Sequence, residues 1–295
     1  MNTDSESYYR SGLSARTPSK KSAGSVFHPC FIWPNKLCRA TIRAVANKFY
    51  HAGVGRAEKV NDLFATIAPR YDLINDLQSV GLHRGWKRRL VRLANVKPGE
   101  TALDLCCGTG DVAFALAAAG AQVTGLDFSA PMLRVAEQRK SSMEQTLAAA
   151  STIPHSTFRI PHFLCGDALH LPFPDAHFDL VTISYGLRNL ASFEGGLREM
   201  WRVAKPGGRL LVLDFGKPDN ALWRSLYFTY LRCLVPLFGK VFCGDSATHA
   251  YILESLKHYP AQHGVAANMQ GLGCANVRIV HLLGGMMSLN YGEKV

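Results

Sequence analysis

A glycine-rich turn gives the first chemical signal in the sequence. The segment "LDLCCGTGDVAFALA", residues 103–117, runs from a short apolar stretch through a Cys-Cys-Gly-Thr-Gly turn into an alanine-rich helical pattern. A strand that ends in such a turn and restarts as a helix aims backbone N–H groups and the positive helix terminus at one point. We therefore expect Gly108, Thr109 and Gly110 to hold an anionic or strongly polar ligand.

The partner of this turn is an acidic residue that follows the next apolar run. Asp127 comes 17 positions after Gly110, where a second parallel strand should end beside the first. A carboxylate there can accept both hydroxyls of a ribose, and it can also cap the helix that begins near Pro131. The letters from Gly108 to Ala113 also fit the G-x-G-x-x-G/A fingerprint of dinucleotide-binding folds, so the turn and Asp127 leave the cofactor open.

Polar residues follow two more predicted strands. A strand near Phe163 ends in "CGDALHLPF", and a strand over 178–184 ends in "SYGLRN". The carboxyl ends of parallel strands meet at one edge of the sheet, where ligands of open α/β folds bind. The residues placed at this edge are Asp167, Ala168, Ser184, Arg188 and Asn189.

The elements that must position these residues alternate along the chain. Strand-like runs are Ala102–Leu105, Val123–Leu126, Phe178–Ser184 and Leu210–Asp214. Helices are expected over 132–150 and 194–204, the second of which stops at the turn "KPGG". This alternation predicts a parallel sheet with helices on both faces. Two late strand candidates, Asn276–Val280 and Met286–Leu289, flank Gly284-Gly285, which suits an appended hairpin.

Composition limits the class of protein and its partners. The chain has 295 residues, is 47% hydrophobic and 19% charged, and can bury a full α/β core. The net charge of +11 is uneven, because residues 1–57 hold nine Lys and Arg against two acids, whereas residues 58–295 hold 24 against 20. The body is only mildly basic and has no RNA- or DNA-binding signature, so we expect no nucleic-acid partner.

Two regions follow from this change in composition. We predict a basic, flexible extension over residues 1–57 and one catalytic domain over residues 58–295, which begins with a helical cap. The extension also fits a transit peptide, although Asp4 and Glu6 fit poorly, and a start-site error is another alternative. We expect a cytoplasmic protein peripheral to the inner membrane, with organelle import through residues 1–57 as the alternative.

Cysteine and histidine spacing does not predict a metal site. None of the eight cysteines forms a C-x-x-C pair, and the adjacent Cys106 and Cys107 lie inside the glycine turn. We expect free thiols in a reducing compartment. His249, His258 and His263 lack a cysteine pair or an H-E-x-x-H arrangement, so no metal is predicted.

Ordered sequence blocks carry a family resemblance. From about Glu58 to Gly292 the chain resembles the ubiquinone/menaquinone biosynthesis C-methyltransferases, S-adenosylmethionine enzymes with a seven-stranded Rossmann-like sheet of the class I methyltransferase type. The blocks are "FATIAPRYDLIND", "LDLCCGTGD", "VTGLDFSAPML", "GDALHLPF", "ISYGLRN", "RVAKPGGRLLVLDF", "YILESLKHYP" and "GGMMSLNYG".

The resemblance implies S-adenosylmethionine as the cofactor. Its contacts fall on Thr109, Asp127, Asp167, Ala168 and Ser184. Gly108, Gly110 and Asp104, on the same strand and turn, complete the predicted cofactor-binding set.

The resemblance also implies methyl transfer to a ring carbon of a polyprenylated quinol, with demethylmenaquinol as the leading substrate. Carbon is a poor nucleophile unless an adjacent phenolic oxygen loses its proton. We expect Arg188 beside Asn189 to position a water and to stabilise the phenolate, and Tyr71 is a secondary candidate for the ring site. A guanidinium stays protonated, so Arg188 is not expected to be the base.

The sequence leaves alternatives open for the acceptor and for the class of protein. The acceptor can also be the benzoquinol precursor of ubiquinone or a demethylphylloquinol. In other classes, a nicotinamide-dependent oxidoreductase fits the turn and Asp127, and a non-catalytic methyltransferase-like scaffold fits the fold.

One segment has the composition of a membrane-surface helix. Residues 221–243 mix aromatic and aliphatic side chains with Arg224, Arg232 and Lys240, while Pro236 and the central Arg232 argue against a span. We expect this segment to contact the membrane surface, with a plain core helix as the alternative. A homodimer is also possible.

Overall fold

The computed structural model describes residues 79–149, 159–243 and 247–295, together with Asp62, Phe64, Ala68, Leu73, Asn75 and Asp76. The predicted boundary between residues 57 and 58 lies outside the described residues, as does most of the predicted helical cap. Both stay predictions.

Seven strands form one sheet in the described part of the chain, in the order β3-β2-β1-β4-β5-β7-β6. The strands are β1 Thr101–Leu105, β2 Gln122–Asp127, β3 His162–Cys165, β4 Phe178–Ser184, β5 Ala204–Phe215, β6 Cys274–Leu282 and β7 Met287–Lys294. The first five are mutually parallel, and β7 pairs antiparallel with both β5 and β6. The predicted Rossmann-like, seven-stranded α/β architecture is confirmed.

Helices connect the strands. The α-helices in the described residues are α1 Leu82–Ala94, α2 Asp111–Ala118, α3 Ala130–Ala149, α4 Phe193–Val203, α5 Ala221–Cys243, α6 Ala247–His258 and α7 Ala261–Gly271. Two short 3-10 turns cover Leu187–Asn189 and Leu283–Gly285. Among the described helices, none is long and apolar enough to cross a membrane.

The central strands β1 and β4 are apolar along most of their length because both faces of the sheet are covered. Leu180, Leu211 and Leu213 pack on the face that holds α1 and α2. Their neighbours Val181 and Val212 pack on the face that holds α4. Each such buried Leu or Val side chain contributes about 1.5–3 kcal/mol relative to exposure. The two packed layers fix the ends of the strands in space.

The predicted hairpin is confirmed, with longer strands than the sequence indicated. A parallel continuation of the sheet would need a crossover of a dozen or more residues, whereas only residues 283–286, which include the turn Leu283–Gly285, join β6 to β7. Gly284 in that turn has φ +63°, a conformation that glycine adopts without strain. The sheet is therefore mixed, with β7 lying between β5 and β6.

One predicted turn is part of a strand. The segment "KPGG", residues 205–208, lies within β5, where the register with β4 shifts between Phe178 and Leu180. The irregularity lets two glycines and a proline join a strand that would otherwise begin after them.

Candidate active site

A cavity of about 210 Å³ lies where β1 to β4 end. It sits at the point where strand order reverses between β1 and β4, the usual ligand site of an open α/β sheet. The residues that line it are Phe64, Cys106, Gly108, Leu126, Asp127, Phe128, Ser129, Met132, Gly166, Asp167, Ala168, Leu169, Ser184, Tyr185, Gly186, Asn189, Leu190 and Ala191.

The glycine turn closes one side of the cavity. Gly110 has φ +87° and immediately precedes α2. A side-chain carbon at this position would lie 2.8 Å from the ring of Phe163 and 2.9 Å from the ring of Phe114. Only glycine fits at position 110, between these two rings. The tight turn that it permits places the backbone of Gly108 at the cavity wall.

Asp127 is anchored at the cavity by two backbone donors. Its Oδ2 accepts the N–H of Gly108 over 2.8 Å, and its Oδ1 accepts the N–H of Ser129 over 2.8 Å. Burial raises the pKa of Asp127, and the two N–H donors oppose that rise. Because Ser129 directly precedes α3, the carboxylate joins the turn to the start of that helix while it lines the cavity. The contact with Ser129 at the start of α3 is in place, and the contact of Asp127 with a ribose stays a prediction.

Asp104 lies buried in β1 beneath the turn. Its Oδ1 accepts a hydrogen bond from the hydroxyl of Thr182 over 2.7 Å, and its Oδ2 has no partner among the described residues. Burial raises the pKa of Asp104 to about 7. A buried carboxylate oxygen without a donor would be stabilised by a cationic or hydrogen-bonding ligand group.

The third and fourth strands deliver the predicted polar groups. Asp167 Oδ1 accepts the N–H of Leu169 over 2.9 Å, which shapes the loop so that Asp167 and Ala168 both line the cavity. Ser184 ends β4, and its buried hydroxyl oxygen has no partner within the described ranges. That hydroxyl is available to a ligand.

Arg188 is held by a buried ion pair. Its Nη1 lies 2.8 Å from Asp214 Oδ1, and its backbone N–H donates to Asp214 Oδ2 over 3.1 Å. Nη1 also donates to the carbonyl oxygen of Tyr185, and the guanidinium carbon lies 4.5 Å from the ring centre of Phe215. The guanidinium therefore braces the loop after β4, and it is Asn189, the next residue, that lines the cavity.

Most of the predicted site residues come together. Gly108, Asp127, Asp167, Ala168, Ser184 and Asn189 line the cavity. Thr109, Gly110, Asp104 and Arg188 lie on the same turn, strand or loop without lining it. Tyr71 lies outside the described residues. The binding and catalytic roles of all these residues stay predictions.

Sequence reasoning missed two aromatic contributors. Phe128 lines the cavity and is 47% exposed although it is a large apolar side chain. Its position directly after Asp127 could have predicted this. Phe64 also lines the cavity, but it lies far from the other lining residues in sequence, and the block "FATIAPRYDLIND" does not indicate where in the fold it lies. In the described part of the chain, no three His, Cys, Asp or Glu side chains meet as a metal site would require.

Comparison with known proteins identifies the family. The family model for the ubiE/COQ5 methyltransferase family matches residues 53–294. A ubiquinone/menaquinone biosynthesis C-methyltransferase from Ectopseudomonas mendocina (strain ymp) is 40% identical over 242 residues, which cover 81% of this chain and 90% of the relative. A demethylmenaquinone methyltransferase from Desulfitobacterium hafniense (strain Y51) is 37% identical over 247 residues, or 82% and 92% of the two chains.

Solved structures support the fold independently. Magnesium protoporphyrin IX methyltransferase from Synechocystis PCC 6803, solved with S-adenosylhomocysteine, matches with a TM-score of 0.56 at 21% identity over 80% of this chain and 98% of that one. The same enzyme solved with S-adenosylmethionine gives 0.55 at 17% identity over 83% and 100%. The family model and the relatives at 37–40% identity, by contrast, identify the glycine turn as that of a methyltransferase rather than of an oxidoreductase: the chain belongs to the ubiE/COQ5 methyltransferase family.

Proposed function

We propose that the protein methylates a ring carbon of demethylmenaquinol, a polyprenylated naphthoquinol, to give menaquinol. At the coarser level, the chain is an S-adenosylmethionine-dependent C-methyltransferase of ubiquinone and menaquinone biosynthesis, as its family and its relatives at about 40% identity indicate. The benzoquinol precursor of ubiquinone is the alternative acceptor, because one relative is named for both pathways. The cavity that joins the Asp127 carboxylate to the Asn189 amide is the observation that carries the proposal.

The residues around the turn fit the methyl donor. When bound, S-adenosylmethionine supplies an electrophilic methyl group on a positively charged sulfonium. Asp127 presents a fixed carboxylate suited to ribose hydroxyls, and the buried carboxyl of Asp104, behind the cavity wall, favours positive charge in the cavity. The exposed ring of Phe128 offers a flat apolar surface to the adenine, and Asp167 with Ala168 offers polar contacts at its edge.

The acceptor side of the cavity suits a phenolic oxygen. A phenol has an ordinary pKa of about 10, so the ring carbon becomes nucleophilic at neutral pH only if the protein favours the phenolate. Asn189 presents an amide to the cavity, and the positive charge of Arg188 lies behind it, partly neutralised by Asp214. We propose that Asn189 contacts the acceptor oxygen and that Arg188 supports it from the loop.

The lipid tail of the acceptor calls for contact with a membrane. The described part of α5 buries Tyr227, Leu231 and Val235 against the core, as the core-helix alternative requires. An apolar stripe on another face stays exposed; its members are Leu222, Trp223, Leu226 and Leu234. Arg224 and Arg232 flank this stripe, an arrangement typical of helices that lie in a membrane interface. We propose a cytoplasmic protein attached through α5 to the inner membrane.

The test of the proposed function is direct. The purified full chain is incubated in detergent with methyl-labelled S-adenosylmethionine and either reduced demethylmenaquinol or the reduced benzoquinol precursor, and products are identified by mass. We expect a mass gain of one methyl group on the naphthoquinol. Methylation of the benzoquinol alone would assign the alternative acceptor. Demethylphylloquinol is the third acceptor tested, and donor binding without methylation of any of the three would instead identify a non-catalytic scaffold.

A further inference from the structure

The amide of Asn189 connects the cavity to α6. Asn189 is only 8% exposed and lines the cavity. Its Nδ2 donates to the carbonyl oxygen of Tyr185 over 3.1 Å, and its Oδ1 accepts a hydrogen bond from the hydroxyl of Tyr251. The two ends of the amide therefore have different partners on different elements, which fixes which end is which.

Tyr251 is itself held in place. It lies on α6 with 3% of its surface exposed. The guanidinium carbon of Arg188 lies 5.9 Å from its ring centre, and Phe64, which lines the cavity, packs against it. A ring packed in this way can hold its hydroxyl at one position.

The hydrogen bonds that the Asn189 amide already makes determine which of its groups is left for a ligand. A carboxamide has two N–H hydrogens and one acceptor oxygen. Tyr185 takes one N–H, and Tyr251 occupies the oxygen. The second N–H of Asn189 has no partner in the part of the chain that the structure describes. This second N–H is the donor that the amide can offer to the cavity, where it would stabilise an acceptor oxygen as negative charge develops on it.

We propose that Tyr251 is a positioning residue for methyl transfer, because its hydroxyl holds the Asn189 amide with Nδ2 toward the acceptor oxygen. The inference rests on the proposed function, since it requires a quinol oxygen in this cavity. Without the Tyr251 hydroxyl, Oδ1 of Asn189 loses its donor and the amide can rotate. An amide that presents its oxygen to a phenolate repels it.

Tyr251→Phe removes the hydroxyl and keeps the ring. The matched control is Tyr227→Phe, because Tyr227 is also 3% exposed and its hydroxyl has no partner among the described residues. We expect kcat of Tyr251→Phe to fall at least tenfold, with little change in KM for the quinol or in donor Kd, because the lost interaction is made mainly in the transition state. Tyr227→Phe should keep the wild-type kcat. Equal kcat values for the two variants would overturn the proposal.

A double-mutant cycle separates positioning from general damage. In the Asn189→Ala background, Tyr251→Phe should cause no further loss of kcat, because its effect passes through the amide. Losses that multiply would overturn the proposal.

Asn189→Asp supplies the test if Tyr251→Phe does not fold, because it keeps an acceptor for Tyr251 and removes both N–H groups. Its kcat should fall at least tenfold with donor Kd retained, and an unchanged kcat would contradict the donor role. A wild type that methylates no quinol would remove the proposed function and this inference with it. Wild-type turnover with equal Tyr251→Phe and Tyr227→Phe rates would remove this inference alone.

Discussion

The backbone N–H of Gly108 donates a hydrogen bond to Oδ2 of Asp127 over 2.8 Å. The turn after β1 and the end of β2 are thereby joined, although the two residues lie 19 positions apart in the chain. A substitution at Asp127 consequently acts on the turn as well as on any ligand that the carboxylate holds.

Asp127→Asn tests the ribose contact with the smallest change in shape. We expect the donor Kd to rise about 10- to 100-fold, because hydrogen bonds to a charged acceptor contribute about 1.5–3 kcal/mol. Calorimetric titration with S-adenosylmethionine measures this, with the exposed Asp175→Asn as the control. An unchanged Kd in a folded Asp127→Asn protein would take Asp127 out of the cofactor site.

Asp104 should make donor binding depend on pH. Burial raises the pKa of Asp104 to about 7, so the carboxyl is largely neutral below that pH and charged above it. A cationic ligand favours the charged form, so donor affinity should rise with pH through about 7 and proton release should accompany binding below it. Titrations in two buffers of different ionisation enthalpy count that proton. A pH-independent Kd between pH 6 and 8 would show that the charge of Asp104 does not affect donor binding.

The same buried carboxyl has a predictable effect on stability. Because the folded-state pKa of Asp104 lies above the ordinary value of 3.8, the folded protein holds more protons than the unfolded chain between about pH 4 and pH 7. The contribution of this group to the free energy of unfolding therefore falls as pH rises across that window. Asp104→Asn should gain stability relative to wild type as the pH is raised from 5 to 8, measured by urea unfolding. A constant difference between the two proteins would contradict this.

Substitutions at Arg188 and Asp214 should have non-additive effects on the free energy of unfolding. Arg188→Met leaves Asp214 buried and unpaired and should lower the free energy of unfolding by about 3–5 kcal/mol. Arg188→Met combined with Asp214→Leu should lose less, since no charge is left alone. Additive losses in urea unfolding would contradict this.

The exposed stripe of α5 should bind anionic bilayers. Leu222→Gln with Leu226→Gln should reduce co-flotation with vesicles that contain phosphatidylglycerol by at least tenfold, while turnover in detergent stays at the wild-type level. The control is the pair Ser225→Gln and Thr229→Gln, two exposed polar residues of the same helix, because it introduces the same two side chains without removing apolar surface. Unchanged flotation with a concentration-dependent mass in light scattering would assign the stripe to a homodimer instead.

The strands and the edge where they end could be read from the sequence. Phe178–Ser184 was predicted with the bounds that the structure has, because a central strand covered on both faces is a continuous apolar run. Helices α6 and α7 were missed. Each packs against more than one element, α6 against α5 and the loop after β4, and α7 against the hairpin and α4, so their apolar residues do not follow a single helix face. The partner of Arg188 was equally out of reach, because Asp214 lies 26 residues further along the chain on another strand. The spacing of apolar residues indicates which face of a helix or strand is buried, but it does not indicate which element packs against that face.

The state of the two cysteine thiols in the glycine turn affects how readily an oxidised quinone can modify them. Cys106 lines the cavity, and burial raises the pKa of both the Cys106 and the Cys107 thiols well above the ordinary value. The thiolate is the form that attacks electrophiles, and a thiol kept protonated reacts far more slowly. Quinols oxidise to quinones, whose unsubstituted ring carbons add thiolates irreversibly. The turn can therefore keep the Cys106 sulfur at the cavity wall and react far more slowly with an oxidised quinone than a turn with a thiolate there would.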